Sequence, residues 1–169
     1  MDFGAATEMF AILGFAALLI AAAASDWRKL LIPNRYTVAI VALFPAYVIA
    51  SGGDVAWQAH LICGATAFAA GFLLFTMGFF GGGDVKLFAA VTLWAGPALF
   101  MPMLAYTVVA GALLGCALWV QYRFRRDSVP AALNYALSNN VAFSKLPMPY
   151  AIAIAAGGLH VALRLFAGI

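Results

Sequence analysis

Of the 169 residues, 66% are hydrophobic and only 9% are charged, with a formal net charge of +3 and a mean hydropathy of +1.02. A water-soluble domain carries roughly 25% charged residues, and so few charges cannot cover a surface that faces water. The composition therefore excludes a soluble enzyme and gives no ground for nucleic-acid binding; it predicts a single integral membrane domain over residues 1–169, all-α and polytopic.

A helix needs about 20 apolar residues to cross the hydrocarbon core. Six segments qualify as candidates, at about 5–25, 36–51, 56–80, 85–100, 103–122 and 147–167. The first ends in Ala22-Ala23-Ala24-Ser25, which imitates a leader cleavage site. The chain opens with Asp2 and Glu8 rather than with cations, so the segment reads as a retained membrane helix. Pro45 lies inside the second and is expected to kink it. The connections are then Asp26–Arg35, Gly52–Asp54, Gly81–Asp84, Pro97–Pro102 and Arg123–Leu146.

Cations mark the cytoplasmic side of a membrane protein. Arg28, Lys29 and Arg35 fall in the first connection, Lys86 at the third, and Arg123, Arg125, Arg126 and Lys145 in the fifth, while the second and fourth have none. The odd-numbered connections are thus expected in the cytoplasm and both termini outside, with Arg164 snorkelling from a helix end. Between Ser128 and Lys145, Val129, Leu133, Ala136, Leu137 and Val141 recur close to helical spacing, as an interfacial amphipathic helix would have them. Cys63 and Cys116 each sit in an apolar run with no C-x-x-C pair, so neither a disulfide framework nor a metal site is expected. His60 and His160 read as ordinary core or boundary residues, and Gly111-x-x-x-Gly115 as a close-packing face.

The acids are Asp2, Glu8, Asp26, Asp54, Asp84 and Asp127. Asp26 and Asp84 stand apart, because each adjoins a long apolar segment on the predicted cytoplasmic side. An ionisable group at membrane depth costs about 2.5–3.5 kcal/mol on insertion scales, so it usually has a role. Two carboxyls brought together share a proton. The ionised one can then take a proton from water while the neutral one hydrogen-bonds a carbonyl, which is the chemistry of an aspartic protease. Plainer readings exist: Asp26 as a topology anchor beside Arg28 or Lys29, and Asp84 as the N-cap of the fourth helix. A proton- or cation-coupled transporter using both acids is a further alternative, although it would scatter acids nearer the midplane. Spacing alone does not bring the two acids together. Gly81 and Gly83 beside Asp84 would admit an extended backbone to the carboxylate, with any positive φ at Gly83 adding to the cost of a side chain there, and Gly82 tolerant.

Three motifs carry a resemblance. Ser25-Asp26-Trp27-Arg28-Lys29-Leu30-Leu31-Ile32-Pro33-Asn34 resembles the acidic segment after the first core helix of type IV prepilin peptidases. Phe80-Gly81-Gly82-Gly83-Asp84-Val85-Lys86-Leu87 resembles their G-x-G-D-x-K-L signature, whose G-x-G-D part is shared with presenilin-type proteases. Pro147-Met148-Pro149-Tyr150 through Ala156-Gly157-Gly158 resembles their last helix. The motifs stand in family order and span nearly the whole chain. The resemblance implies a bacterial inner-membrane aspartic endopeptidase with Asp26 and Asp84 as catalytic pair and Lys86 as a motif residue of underived role. It implies no cofactor, prepilin or pseudopilin substrates, and contacts with the pilus assembly machinery. A non-catalytic pilus assembly protein is the remaining alternative. Larger family members carry paired C-x-x-C motifs and also N-methylate the new terminus; this sequence lacks those motifs and resembles the short class of Flp (tight adherence) pili, implying a peptidase without the methyltransferase part.

Overall fold

The computed structural model describes residues 3–124 and 148–168, and the amphipathic segment expected between Ser128 and Lys145 lies outside them. The described residues form five helices: α1 (Phe3–Lys29), α2 (Asn34–Ala50), α3 (Trp57–Thr76), α4 (Gly82–Phe124) and α5 (Tyr150–Phe166). The all-α expectation holds, but the count is five rather than six, because the fourth and fifth expected segments form one element. By length and composition α1, α3 and Gly82–Gln121 of α4 can cross a membrane, while α2 and α5 are apolar but shorter, at 17 residues each. α2 runs through Pro45 without interruption.

At 43 residues, a straight α4 would be about 65 Å long, twice the ~30 Å hydrocarbon core. It is not straight. Gly96 has φ 57° and ψ −172°, a conformation open essentially to glycine alone, and it divides α4 into an arm over 82–95 and an arm over 97–124. The neighbours of α5 show that the arms run in opposite directions. Phe80, just before the first arm, packs its ring on Tyr150 at the start of α5, and Val91 lies against Gly158 further along, so the first arm runs with α5. In the second arm Gly115 lies near Met148, Gly111 against Ala153, and Met103 against Gly157, so that arm runs against α5. The expected loop at Pro97–Pro102 is absent because Pro97 follows the reversal directly, at a helix start where the missing N–H is no loss.

Proline does leave a debt one turn back. The Leu93 carbonyl would bond the N–H of residue 97, which proline lacks. His60 Nδ1 takes that place, 2.8 Å from the Leu93 oxygen, with its ring stacked on Phe44 and lying where a Gly96 side chain would go. His60, read from the sequence as an ordinary residue, is therefore the cap of the reversal.

The core lies between α1, α2, the first arm of α4 and α5. Phe15 and Trp94 stack with centroids 4.4 Å apart and planes within 1°, and Trp94 Nε1 donates to the Ile40 carbonyl at 3.0 Å. Small residues let α5 in: a side chain on Gly158 would stand 2.6 Å from Leu19 Cδ1. α1 continues to Lys29, so Asp26 lies in its last turn rather than in a connection, and α4 opens at Gly82, so Asp84 lies in its first turn. The carboxylate end of the bundle thus gathers the C-terminal ends of α1 and α3 and the starts of α2, α4 and α5, while Gly4, Ala50, His60 and Gly96 mark the opposite end.

Two substitutions test the reversal. Gly96→Ala drives a side chain into the His60 ring at a positive φ, and His60→Ala leaves the Leu93 carbonyl unpaired at a cost of about 1–3 kcal/mol. Both should lower the thermal unfolding midpoint in detergent, Gly96→Ala more. A Gly96→Ala protein as stable as the native chain would contradict this account.

Candidate active site

Asp26 is 5% exposed, although Arg28 and Lys29 beside it are exposed to the surroundings. Its carboxylate is turned into the bundle, away from those cations, and Oδ2 accepts a 3.0 Å hydrogen bond from the backbone N–H of Ala151. The reason lies in α5. The first N–H groups of a helix have no partner within it, and Pro149 at the N-cap offers no capping side chain. Asp26 caps α5 from another helix, where the positive end of the helix dipole favours an anion.

Asp84 is held by a different end of the chain. The Gly81 carbonyl accepts from Val85 N at 3.1 Å, which makes Gly81 the N-cap of α4 and Asp84 its third residue. Asp84 is therefore not the N-cap; it stands at the third helical position, where an acid suits the positive end of the helix dipole, and its Oδ2 lies close beside Gly81. The two carboxylates, one at the end of α1 and one at the start of α4, both lie at the start of α5: Asp26 on the Ala151 N–H and Asp84 in a cleft wall shared with Tyr150.

The remaining motif residues interlock around the pair. α1 closes at Leu30, in the left-handed conformation with φ 49°, and Ser25 Oγ donates to the Leu31 carbonyl at 2.9 Å. That turn lays Ile32 against Gly83. Phe80 and Tyr150, with ring centroids 6.1 Å apart, stand on the open side of Asp84 and line the same cleft. Three segments far apart in sequence converge on one pair of acids. Residues 13–116 match the type IV leader peptidase family.

The chain belongs to that family. Among curated proteins, the prepilin leader peptidase/N-methyltransferase of Bacillus subtilis is 34% identical over 163 residues, covering 93% of this chain and 56% of its own length. The chain thus spans about half the length of the curated relative it matches. No solved structure matches it significantly.

Within this leader peptidase framework Lys86 stands apart from the acids. It projects from the other side of α4, where Nζ donates to Asn34 Oδ1 at 3.2 Å and so ties the first turn of α4 to the first residue of α2. It lines a separate, smaller cleft with Thr37 and Val41 and does not line the cleft at Asp84. Among the described residues, no group of three or more His, Cys, Asp or Glu side chains could hold a metal ion. Tyr150, Phe80 and the Ala151 N–H are site features that the sequence reading did not assign. The P-x-P-Y motif pointed at Tyr150, but a backbone donor leaves no mark in a sequence.

The glycine run needs correction. None of Gly81, Gly82 and Gly83 has a positive φ, so conformational freedom is not what any of them supplies. A side chain on Gly81 would come within 2.7 Å of Asp84 Oδ2, one on Gly83 within 3.2 Å of Ile32 Cβ, and one on Gly82 would meet Phe75 at an ordinary 3.4 Å. Gly81→Ala should therefore be the most damaging, lowering turnover about tenfold or more by displacing the carboxylate; Gly83→Ala should come next and Gly82→Ala should be nearly silent. Measured processing rates that put Gly82→Ala level with Gly81→Ala would show that the run acts as a hinge or packing surface instead.

Proposed function

We infer that this chain is a membrane-embedded aspartic endopeptidase that removes the short basic leader of type IV prepilins of the Flp class at the cytoplasmic face of the inner membrane. Asp26 and Asp84 are the catalytic pair in this reading. The observation that supports this reading is that Asp26 and Asp84, from helices far apart in sequence, both lie at the start of α5, at one end of the bundle, with Asp84 in the wall of an apolar cleft. Family membership supports the reaction class, and we assign the peptidase step only.

The chemistry follows from the pair. One carboxylate takes a proton from water, and the hydroxide so formed attacks the scissile carbonyl, whose oxygen is hydrogen-bonded by the carboxylic acid of the partner. Collapse of the tetrahedral intermediate breaks the C–N bond, and the proton taken from water passes to the leaving amine. A new carboxylic acid and a free amine result, the former ionising to solvent, with one water consumed and both catalytic acids back in their starting charge states. Neighbouring carboxyls hold the single proton that this division of labour requires. The fixed N–H of Ala151 keeps the Asp26 carboxylate oriented without help from the substrate.

Loss of either acid should stop the reaction, because water activation and carbonyl polarisation are coupled. Asp26→Asn and Asp84→Asn should each lower processing by about 1,000-fold or more, scored as the mobility shift of a co-expressed prepilin, while membrane insertion is unchanged. Appreciable leader removal by either variant would remove that residue from the pair.

Orientation has its own test, in a chain whose Cys63 and Cys116 are replaced by alanine. Asp54 and Met77 are both exposed, at opposite ends of the bundle. With a membrane-impermeant thiol reagent on intact cells, Asp54→Cys should label and Met77→Cys should not. The opposite pattern would place the acids on the outer face and rule out cytoplasmic cleavage.

A further inference from the structure

Among the described residues, α3 is the least enclosed helix. It rests substantially on α4 alone, docking Gly71 against Val85 and Gly64 against Leu93 in the first arm, and Gly64 is its one buried residue. Its flank is separated from the second arm of α4 and from α5 by an open cleft of about 790 Å³. A continuous exposed apolar surface of this size marks a place where another component packs.

The walls describe that component. Ala59, Cys63, Ala67 and Ala70 of α3 face Leu104, Val108 and Gly111 of the second arm, with Ala153 of α5 beside them. Small residues on both walls allow a close approach of backbones, as at helix–helix contacts in membranes. The cleft follows α3 from Ala59 to Leu74, about 22 Å at the helical rise, or most of the ~30 Å hydrocarbon core. The hydroxyls along it are already used, Thr66 on the Ile62 carbonyl at 2.7 Å and Thr107 on the Met103 carbonyl at 2.9 Å. An extended chain in such a cleft would leave its N–H and C=O groups unpaired, whereas a helix satisfies its own. Only at the end marked by Asp84 and Tyr150 does the lining become polar.

We propose that the occupant of this cleft is an apolar helix of the substrate that directly follows the scissile bond, packed between α3 and the second arm of α4 with its N-terminal end at Asp84. The proposal rests on the leader peptidase reading and adds where the uncut precursor is held. Continuity of the cleft with Asp84 ties the occupant to the reaction: a helix seated there must end, and its backbone become accessible, where the carboxylate stands. The occupant is thereby selected by apolar surface and length, and the bond to be cut by its position at the cleft's mouth.

The test uses a precursor with a short basic leader ending in glycine and a single hydrophobic helix bearing one cysteine. It is co-expressed with an Asp84→Asn chain lacking Cys63 and Cys116 and carrying either Ala70→Cys in the cleft or Leu73→Cys, 62% exposed and outside it. Oxidation should link the precursor at Ala70→Cys about tenfold more than at Leu73→Cys. In the active chain, Ala67→Trp should slow processing about tenfold while Leu73→Trp does not. If the native chain cleaves the precursor but both cysteines link equally, or Ala67→Trp processes at the native rate, the berth is elsewhere. Links between two copies of this chain at Ala70→Cys, without precursor adducts, would reassign the cleft to self-association and overturn the proposal. A native chain that leaves the precursor uncut would overturn the leader peptidase reading itself. The cysteine variants add no bulk, so they report even if Ala67→Trp fails to fold.

Discussion

The hydrogen bond from the Ala151 N–H to Asp26 joins the first helix of the chain to the last. A helix that begins with proline at its N-cap has no side-chain cap of its own, so its first N–H groups need a partner from elsewhere. A buried carboxylate is otherwise expensive. Each group answers the other's need. α1 and α5 are thereby set in register, and the start of α4 is placed beside them through the contact of Phe80 with Tyr150. The site and the fold are stabilised by the same contact, so neither acid can be treated as an ornament on a finished scaffold.

The reversal at Gly96 does comparable work at the far end. By folding α4 back, it gives α5 two neighbours from one element, one arm parallel and one antiparallel. The first arm brings Asp84 to the pair, and the second forms one wall of the cleft. Had the break been a flexible loop, the relative height of the two walls would have been free. A single glycine locked by His60 and Pro97 leaves little freedom.

Apolar segments, their order and the isolation of Asp26 and Asp84 were legible because lipid imposes a simple rule on composition. The boundaries were less so. Polar residues from Asp26 to Lys29 read as a connection, yet they are helical, since one face of that last turn points into the bundle and the other outward. The prolines at 97 and 102 read as a loop because their backbone effect is visible in sequence, while the histidine that repairs it lies 33 residues from the carbonyl it caps, outside any local pattern that would announce it. Glycines at 81 and 83 were singled out for the approach of a substrate backbone, whereas their close neighbours in the structure are Asp84 and Ile32, both from the protein itself. Lys86 could not be understood without Asn34, a partner 52 residues away.

The one-residue turn at Gly96 also bears on how the chain enters the bilayer. An ordinary helical hairpin drags a polar loop through hydrocarbon, and the dehydration of that loop opposes translocation. Here the crest of the hairpin is Ala95, Gly96 and Pro97, and the proline has no N–H to dehydrate. A crest of this kind presents few unpaired polar groups to hydrocarbon as the two arms insert together.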